Sequence, residues 1–460
     1  MSGTNGTTPV TVSGVTSGKR AGEARHAQPR AEPTVWTERM PATLEQGVRG
    51  GKWHSLIDKL HPVTTLRAAF KAVKANRGAA GVDHVSIEDY ASELDANLER
   101  LSESLRTGTY HPQAIRRHFI PKPGSREMRP LGIPTVQDRV VQTALRMVLE
   151  PIYERDFAAQ SYGFRPGMGC KDALRRVDGL LKAGYVHVVD ADLKSYFDTI
   201  PKDRLPALVA GKVADGRILK LVEAFLGQSV LEDAREWVPE QGTPQGAVIS
   251  PLLSNIYLDP LDHLMAGRGF EMVRYADDFV VLCRNPQEAA GALAVVRDWT
   301  EKAGLILQRA DRLSLHRSAS RLDPEKTRLV DARVDGFDFL GYHFERDRRW
   351  PRKKSMEKLK DAIRAKTKRN VGKGLPMVIA DLNPILKGWF GYFRHSYRPT
   401  FRMIDGWVRR RLRSILRRQQ RKEGISKTHG ADHVRWPNAY FAKLGLFSLQ
   451  GTRDAVSQSS

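Results

Sequence analysis

The chain has 460 residues, 41% of them apolar, which is enough to bury a sizeable core and to form two or three domains. Its 75 Lys and Arg against 52 Asp and Glu give a formal charge of +23, so a polyanion is the expected partner. Two cysteines, Cys170 and Cys283, stand far apart without any C-x-x-C, which argues against a disulfide framework or a thiolate zinc site and fits a reducing cytosol. No apolar run approaches the roughly 20 residues that span a bilayer, and no signal-peptide core is present, so a cytoplasmic location without membrane contact is expected.

Residues 1–35 are rich in Gly, Thr and Ser and read as a disordered tail. Leu56, Ile57 and Leu60, then Leu66, Ala69, Phe70 and Val73, recur at helical spacing on either side of Pro62. Arg116–Ile120 and Arg129–Ile133 read as strands around a turn at Pro121–Met128, where Lys122, Arg126 and Arg129 suit a triphosphate clamp. Asp138 to Glu150 forms an amphipathic pattern, N-capped by Thr135 or Asp138 and followed by Pro151.

The run Tyr185–Leu193 is strand-like and ends in Asp190 and Asp192. Helices are predicted at about Arg217–Leu226 and Ser250–Met265. Phe270–Arg274 and Phe279–Cys283 read as a hairpin whose turn carries Ala276, Asp277 and Asp278. Beyond Arg346 the chain turns helical and basic, around Ser355–Arg369 and Phe401–Gln420. Between Arg352 and Glu423 there are 22 Lys and Arg against 5 Asp and Glu, about three quarters of the whole excess charge. In the last of these helices Ile404, Trp407, Val408, Leu412, Ile415 and Leu416 form an apolar stripe, leaving Arg409, Arg410, Arg413, Arg417 and Arg418 for a surface suited to nucleic acid.

Adjacent carboxylates repel, so a turn holding Asp277 and Asp278 is poorly suited to packing and well suited to divalent metal. A second acid-tipped strand beside it matches two-metal nucleotidyl transfer. Asp192 and Asp190 compete for the third ligand position, since period 2 puts both on one strand face. Phe197, five residues beyond Asp192, is placed to exclude a ribose 2′-hydroxyl. The loop Gln241–Pro251 combines Gly242, Pro244, Gln245 and Gly246 at the start of a helix, where glycine lets backbone approach a ligand closely.

These pieces together resemble the reverse transcriptase–maturases encoded by group II introns, in a bacterial form lacking an HNH endonuclease domain. The resemblance rests on ordered motifs: R-G-A-A-G-V-D at 77–83, I-P-K-P-G at 120–124, R-P-L-G-I-P-T-V-Q-D-R-V-V-Q at 129–142, S-Y-G-F-R-P at 161–166, D-L-K-S-Y-F-D at 192–198, T-P-Q-G at 243–246, S-P-L-L-S-N-I-Y-L at 250–258, Y-A-D-D at 275–278, P-E-K-T at 324–327 and F-L-G-Y at 339–342. The segment at 382–394 is similar to the maturase domain. It implies an α+β right-hand polymerase, with fingers and an antiparallel palm sheet over 36–345, an α-helical thumb/maturase domain over 346–425 and a C-terminal tail over 426–460.

By position the resemblance makes Asp192, Asp277 and Asp278 the catalytic ligands of two Mg2+ ions and Phe197 the steric gate. It puts Lys122, Arg129, Gln245, Gly246 and Lys326 around the incoming nucleotide. The implied partners are intron RNA, an RNA template with a DNA or RNA primer, dNTPs and target DNA. The implied function is RNA-directed DNA synthesis together with assistance to splicing and mobility. A splicing cofactor with a vestigial polymerase site, or a reverse transcriptase of another retroelement, are the alternatives. The chain departs from the family pattern by extra basic sequence at about 308–321, just ahead of the P-E-K-T element that carries Lys326. His429 and His433 read as solvated, because no further ligands accompany them.

Overall fold

The computed structural model describes residues 32–37, 40–48, 50–121, 128–233, 235–243, 246–308, 327–368, 372–419 and 429–458. Its strands are β1 (Ile115–Pro121), β2 (Met128–Ile133), β3 (His187–Ala191), β4 (Val230–Glu232), β5 (Arg235–Trp237), β6 (Glu271–Tyr275), β7 (Asp278–Cys283), β8 (Arg328–Asp331), β9 (Phe337–Phe339), β10 (Tyr342–Glu345) and β11 (Arg348–Pro351). They form three sheets, ordered β2-β1-β4-β5, β6-β7-β3-β8 and β11-β10-β9.

The β6-β7-β3-β8 sheet is antiparallel throughout and lies at the centre of the chain's chemistry. It reads as nearly continuous apolar sequence because both of its faces are covered. Val189, Ala191, Met272, Phe279, Val281 and Cys283 face one cluster, shared with helices Ser250–Gly267 and Pro286–Lys302. Val188, Val273, Val280, Leu282 and Val330 face another, with helix Cys170–Lys182 and the β9–β10 strands. The β3–β7 register sets Ala191 opposite Phe279, so Asp192 and Asp278 follow at the same sheet end. This is the edge-to-edge meeting of acid-tipped strands that the sequence predicts.

Helix Val136–Glu154 begins at Thr135, whose hydroxyl accepts the Asp138 N–H at 3.1 Å, while the Asp138 carboxylate is buried against Tyr110 and Gln113. Thr135 is thus the cap. The helix also runs on through Pro151 instead of ending before it. Proline removes the N–H that would meet the Met147 carbonyl. The Trp36 indole N–H donates to that same carbonyl at 2.9 Å, which satisfies it. Val35 and Trp36 are buried, so packed structure already includes the end of the expected tail.

Beyond β11 the chain is helical, with helices Lys353–Lys366, Leu375–Phe393 and Pro399–Gln419 around one apolar cluster. The expected tail at 426–460 instead forms helices His429–Arg435, Asn438–Lys443 and Leu449–Gln458. Trp436, Phe441 and Leu449 complete the same cluster, and the buried Asp405 carboxylate accepts the Leu449 N–H at 3.0 Å. Sparse apolar spacing hid this segment in the sequence. No helix among the described residues is long and apolar enough to cross a membrane.

Phe441→Ala should destabilise the full chain by about 3–5 kcal/mol, because it empties a fully buried site. Urea unfolding followed by far-UV circular dichroism checks this; an unmoved midpoint would make the last helices ornamental.

Candidate active site

The Tyr275–Asp278 turn is held from beneath. Arg274, the residue before it, is fully buried, an unusual position for a guanidinium and one that demands partners. Its Nε donates to both Asp262 carboxylate oxygens, at 2.8 and 3.1 Å. Its terminal nitrogens reach Asn255 Oδ1 at 3.0 Å, Ser161 Oγ at 2.7 Å and the Ala276 carbonyl at 2.9 Å. The last bond fixes Ala276, whose φ of 59° turns the chain so that Asp277 and Asp278 follow at the sheet end.

A neighbouring segment closes on the same turn. A Cβ on Gly163 would lie 2.1 Å from the Ala276 nitrogen, so only glycine fits there. The Gly163 carbonyl accepts from Asn255 Nδ2 at 2.8 Å, linking the S-Y-G-F-R-P and S-P-L-L-S-N motifs through one side chain. Arg165 is buried in turn, paired with Glu154 at 2.7 Å.

Strand parity places Asp190, Asp192 and Asp278 on the face of Val188 and Val280. Asp190 accepts from Arg328 Nε at 2.9 Å, so its carboxylate is already matched by a cation. Burial pushes the Asp190 carboxyl up, and Arg328 pulls against that shift. The Asp278 carboxyl, although solvent reaches it, is pushed up to about 7. The protein packed around it is the largest cause, followed by the Asp190 and Asp277 carboxylates, with Asp192 adding less than the opposing pull of Arg352.

This excess of negative charge suits divalent cations. Among the described residues no three ligating side chains converge as a closed cage would require. Magnesium bound through one or two carboxylates and substrate phosphates needs no such cage. Asp192, Asp277 and Asp278 therefore fit that donor set.

Phe197 lies on the short helix Tyr196–Thr199, half-buried, its ring edge-on to Tyr196 at 5.4 Å between centroids. The loop that begins the T-P-Q-G motif is stitched to it: Thr243 N–H donates to the Phe197 carbonyl at 2.7 Å, and Gly242 N–H to that of Ile200 at 2.8 Å. Gly242, at φ 85°, and Gly246, at φ 108°, each touch backbone, the first at Phe197–Asp198 and the second at the Gly132 carbonyl of β2. Gln142 Oε1 accepts the Val248 N–H at 2.7 Å, fixing the chain beyond the motif.

Of the other expected nucleotide contacts, Lys122, Arg126, Gln245 and Lys326 lie outside the described residues, as does most of the extra stretch at 308–321. For Arg129 only the backbone is described, opposite Ile120 in the β1–β2 ladder.

The arginine surface needs correction. Arg413 is buried, donating to the Trp436 carbonyl at 3.0 Å and to Asn438 Oδ1 at 3.0 Å, so it joins helices and does not face a partner. Arg409 and Arg417 are half-buried beside Asp405, at 4.0 Å, and Asp432, at 3.3 Å. Arg410 and Arg418 remain exposed. The aromatics of the preceding helix are core: Phe390 and Phe393 are buried, and the Tyr392 hydroxyl bonds the Leu340 carbonyl.

Sequence reading missed Arg274, Asp262 and Asn255. The signal was present: an arginine next to Val273 in an apolar strand, and Asn255 and Asp262 seven apart, hence on one face of the helix Ser250–Gly267.

A sheet with carboxylates at the meeting ends of β3 and β7, a glycine loop bonded to the Phe197 segment and a helical unit following β11 are the parts of a polymerase-like protein. Residues 120–344 match the family described as reverse transcriptase (RNA-dependent DNA polymerase), and residues 356–434 match the group II intron maturase-specific domain. Protein YkfC of Escherichia coli is 32% identical over 322 residues, covering 62% of this chain and 81% of that one. Group II intron-encoded protein LtrA of Lactococcus lactis is 38% identical over 196 residues, covering 42% of this chain and 32% of its own. An uncharacterised 91 kDa protein in the cob intron of Schizosaccharomyces pombe is 39% identical over 199 residues, covering 43% of this chain and 24% of its own. The chain belongs to the group II intron-encoded reverse transcriptase/maturase family. Its match spans about a third of the Lactococcus relative's length.

Asp262→Ala would leave the Arg274 guanidinium buried and unpaired, and should cost about 3–5 kcal/mol of stability. Replacing both partners by apolar residues, as in Arg274→Met/Asp262→Leu, should cost clearly less than the single change. Chemical unfolding of the two variants checks the order; the reverse order would mean that the pair does not hold this region.

Proposed function

We propose that the chain is an RNA-directed DNA polymerase that copies intron RNA into cDNA and binds that RNA to assist its splicing and mobility. The observation that carries this reading is the placement of Asp192 and Asp278 at the meeting ends of β3 and β7, with Asp277 in the adjoining turn. Two magnesium ions, when bound, supply Lewis acidity to the primer 3′-hydroxyl and charge neutralisation to the triphosphate. Asp192, Asp277 and Asp278 hold them. Lys122 and Arg129 take the triphosphate oxygens. Gln245 and Gly246 border the nucleotide, Lys326 lies near it, and the Phe197 ring excludes a 2′-hydroxyl by volume.

Asp192→Ala, Asp277→Ala and Asp278→Ala should each abolish magnesium-dependent primer extension on an RNA template. Asp190→Ala should retain substantial activity, because Asp190 is matched by Arg328. Equal loss in Asp190→Ala and Asp192→Ala would overturn the ligand assignment. Loss of activity with splicing retained separates the enzyme from a cofactor with a vestigial site: a wild type that splices but makes no cDNA supports the latter.

Binding of intron RNA draws on the basic helices, where phosphate neutralisation releases counterions. Arg410→Ala/Arg418→Ala should therefore weaken intron RNA binding and flatten its salt dependence by roughly one unit or less per arginine. Filter binding across a salt series measures this; an unchanged slope would move the RNA contact to another surface.

A further inference from the structure

Phe164 is held in a way that its own packing does not account for. Its φ of 60° is a left-handed backbone conformation that residues other than Gly, Asn and Asp rarely adopt, and the residue is 45% exposed. Both features work against stability, since a strained backbone is normally retained only where surrounding structure imposes it, often at functional sites. Here both neighbours impose it. Gly163 is pressed against the Ala276 nitrogen, and the Arg165 guanidinium donates to Glu154 and to the Ala158 and Ser161 carbonyls. Phe164 stands between those two anchors, one residue from the glycine that packs on the Tyr275–Asp278 turn.

Its ring meets Phe197, with centroids 6.3 Å apart and planes at 73°. Phe197 in turn meets Tyr196, which is fully buried and whose hydroxyl donates to the Ser254 carbonyl at 2.8 Å. The Phe197 ring thus meets two aromatics, a buried and hydrogen-bonded Tyr196 and the exposed Phe164.

We propose that Phe164 is a positioning residue for sugar discrimination, bracing the Phe197 ring at the angle that excludes ribose. This inference rests on the reading of Phe197 as the gate. A ring used as a steric wall discriminates only if it cannot swing aside, and its backbone anchor alone leaves the side-chain torsions free. Phe164 supplies the missing constraint from an exposed position that core packing gives no reason to fill with an aromatic.

The test compares kcat/KM for rNTP and dNTP on one RNA template–DNA primer in the full chain. Phe197→Ala should raise relative rNTP acceptance by roughly 100-fold and Phe164→Ala by roughly tenfold. Phe164→Tyr, which keeps the ring, should stay near the wild-type ratio. Because Phe164 acts through Phe197, the double variant should match Phe197→Ala alone. Phe164→Gly, which relieves the left-handed strain, should not lower the melting temperature although it loses discrimination. A ratio unmoved by Phe164→Ala while Phe197→Ala relaxes it would overturn this inference alone. An additive double variant would also overturn it, since Phe164 would then act directly. No relaxation in Phe197→Ala would overturn the gate reading, and with it the bracing role.

Discussion

The Arg274–Asp262 ion pair lies out of reach of water beneath the acidic turn, and the local structure radiates from it. A guanidinium offers five donors in a rigid fork, and here the fork ties the Arg274 strand to three parts of the chain: the helix that carries Asp262 and Asn255, the segment at Ser161, and the turn at the Ala276 carbonyl. Burying such a charge is unfavourable unless every donor is matched, so the chain has one way to assemble these parts. What that assembly produces is a backbone turn at Ala276 that no packing preference would select, delivering Asp277 and Asp278 to the end of β7 beside Asp192.

The result is a deliberate mismatch of charge. The protein as a whole is strongly basic, yet its centre collects carboxylates that raise one another's proton affinity, as Asp278 records. Under the proposed polymerase function, cations and the nucleotide they bring would resolve this conflict. Asp190 shows the other solution, a carboxylate on the same sheet face neutralised by Arg328. Basic charge is concentrated in the helical unit, where part of it serves structure: Arg413 ties Pro399–Gln419 to the last helices, while Arg410 and Arg418 stay at the surface.

Much of this was legible in the chain itself. Apolar, β-branched runs located β3, β6 and β7, and parity alone placed Asp190 and Asp192 on one face. The hairpin of β1 and β2 and the apolar stripe through Ile404 and Leu416 were equally plain. What sequence did not reveal was long-range. Met147's carbonyl is satisfied by Trp36, 111 residues away, which lets a helix run through Pro151. Arg413 looks solvated from its neighbours, because the carbonyl it serves belongs to Trp436. Phe164 gives no local hint of its backbone strain. Each of these depends on a partner from a distant segment, information that spacing and propensity do not carry.

The central claim is that Asp192, Asp277 and Asp278 together hold two divalent ions once template, primer and nucleotide are in place. Manganese electron paramagnetic resonance on the complex with RNA template, a 3′-deoxy-terminated DNA primer and a dNTP counts bound ions without any turnover. Two bound ions per wild-type chain, with loss of at least one in Asp192→Asn and in Asp277→Asn, is the predicted result. Identical stoichiometry and affinity in the wild type and both variants would contradict it.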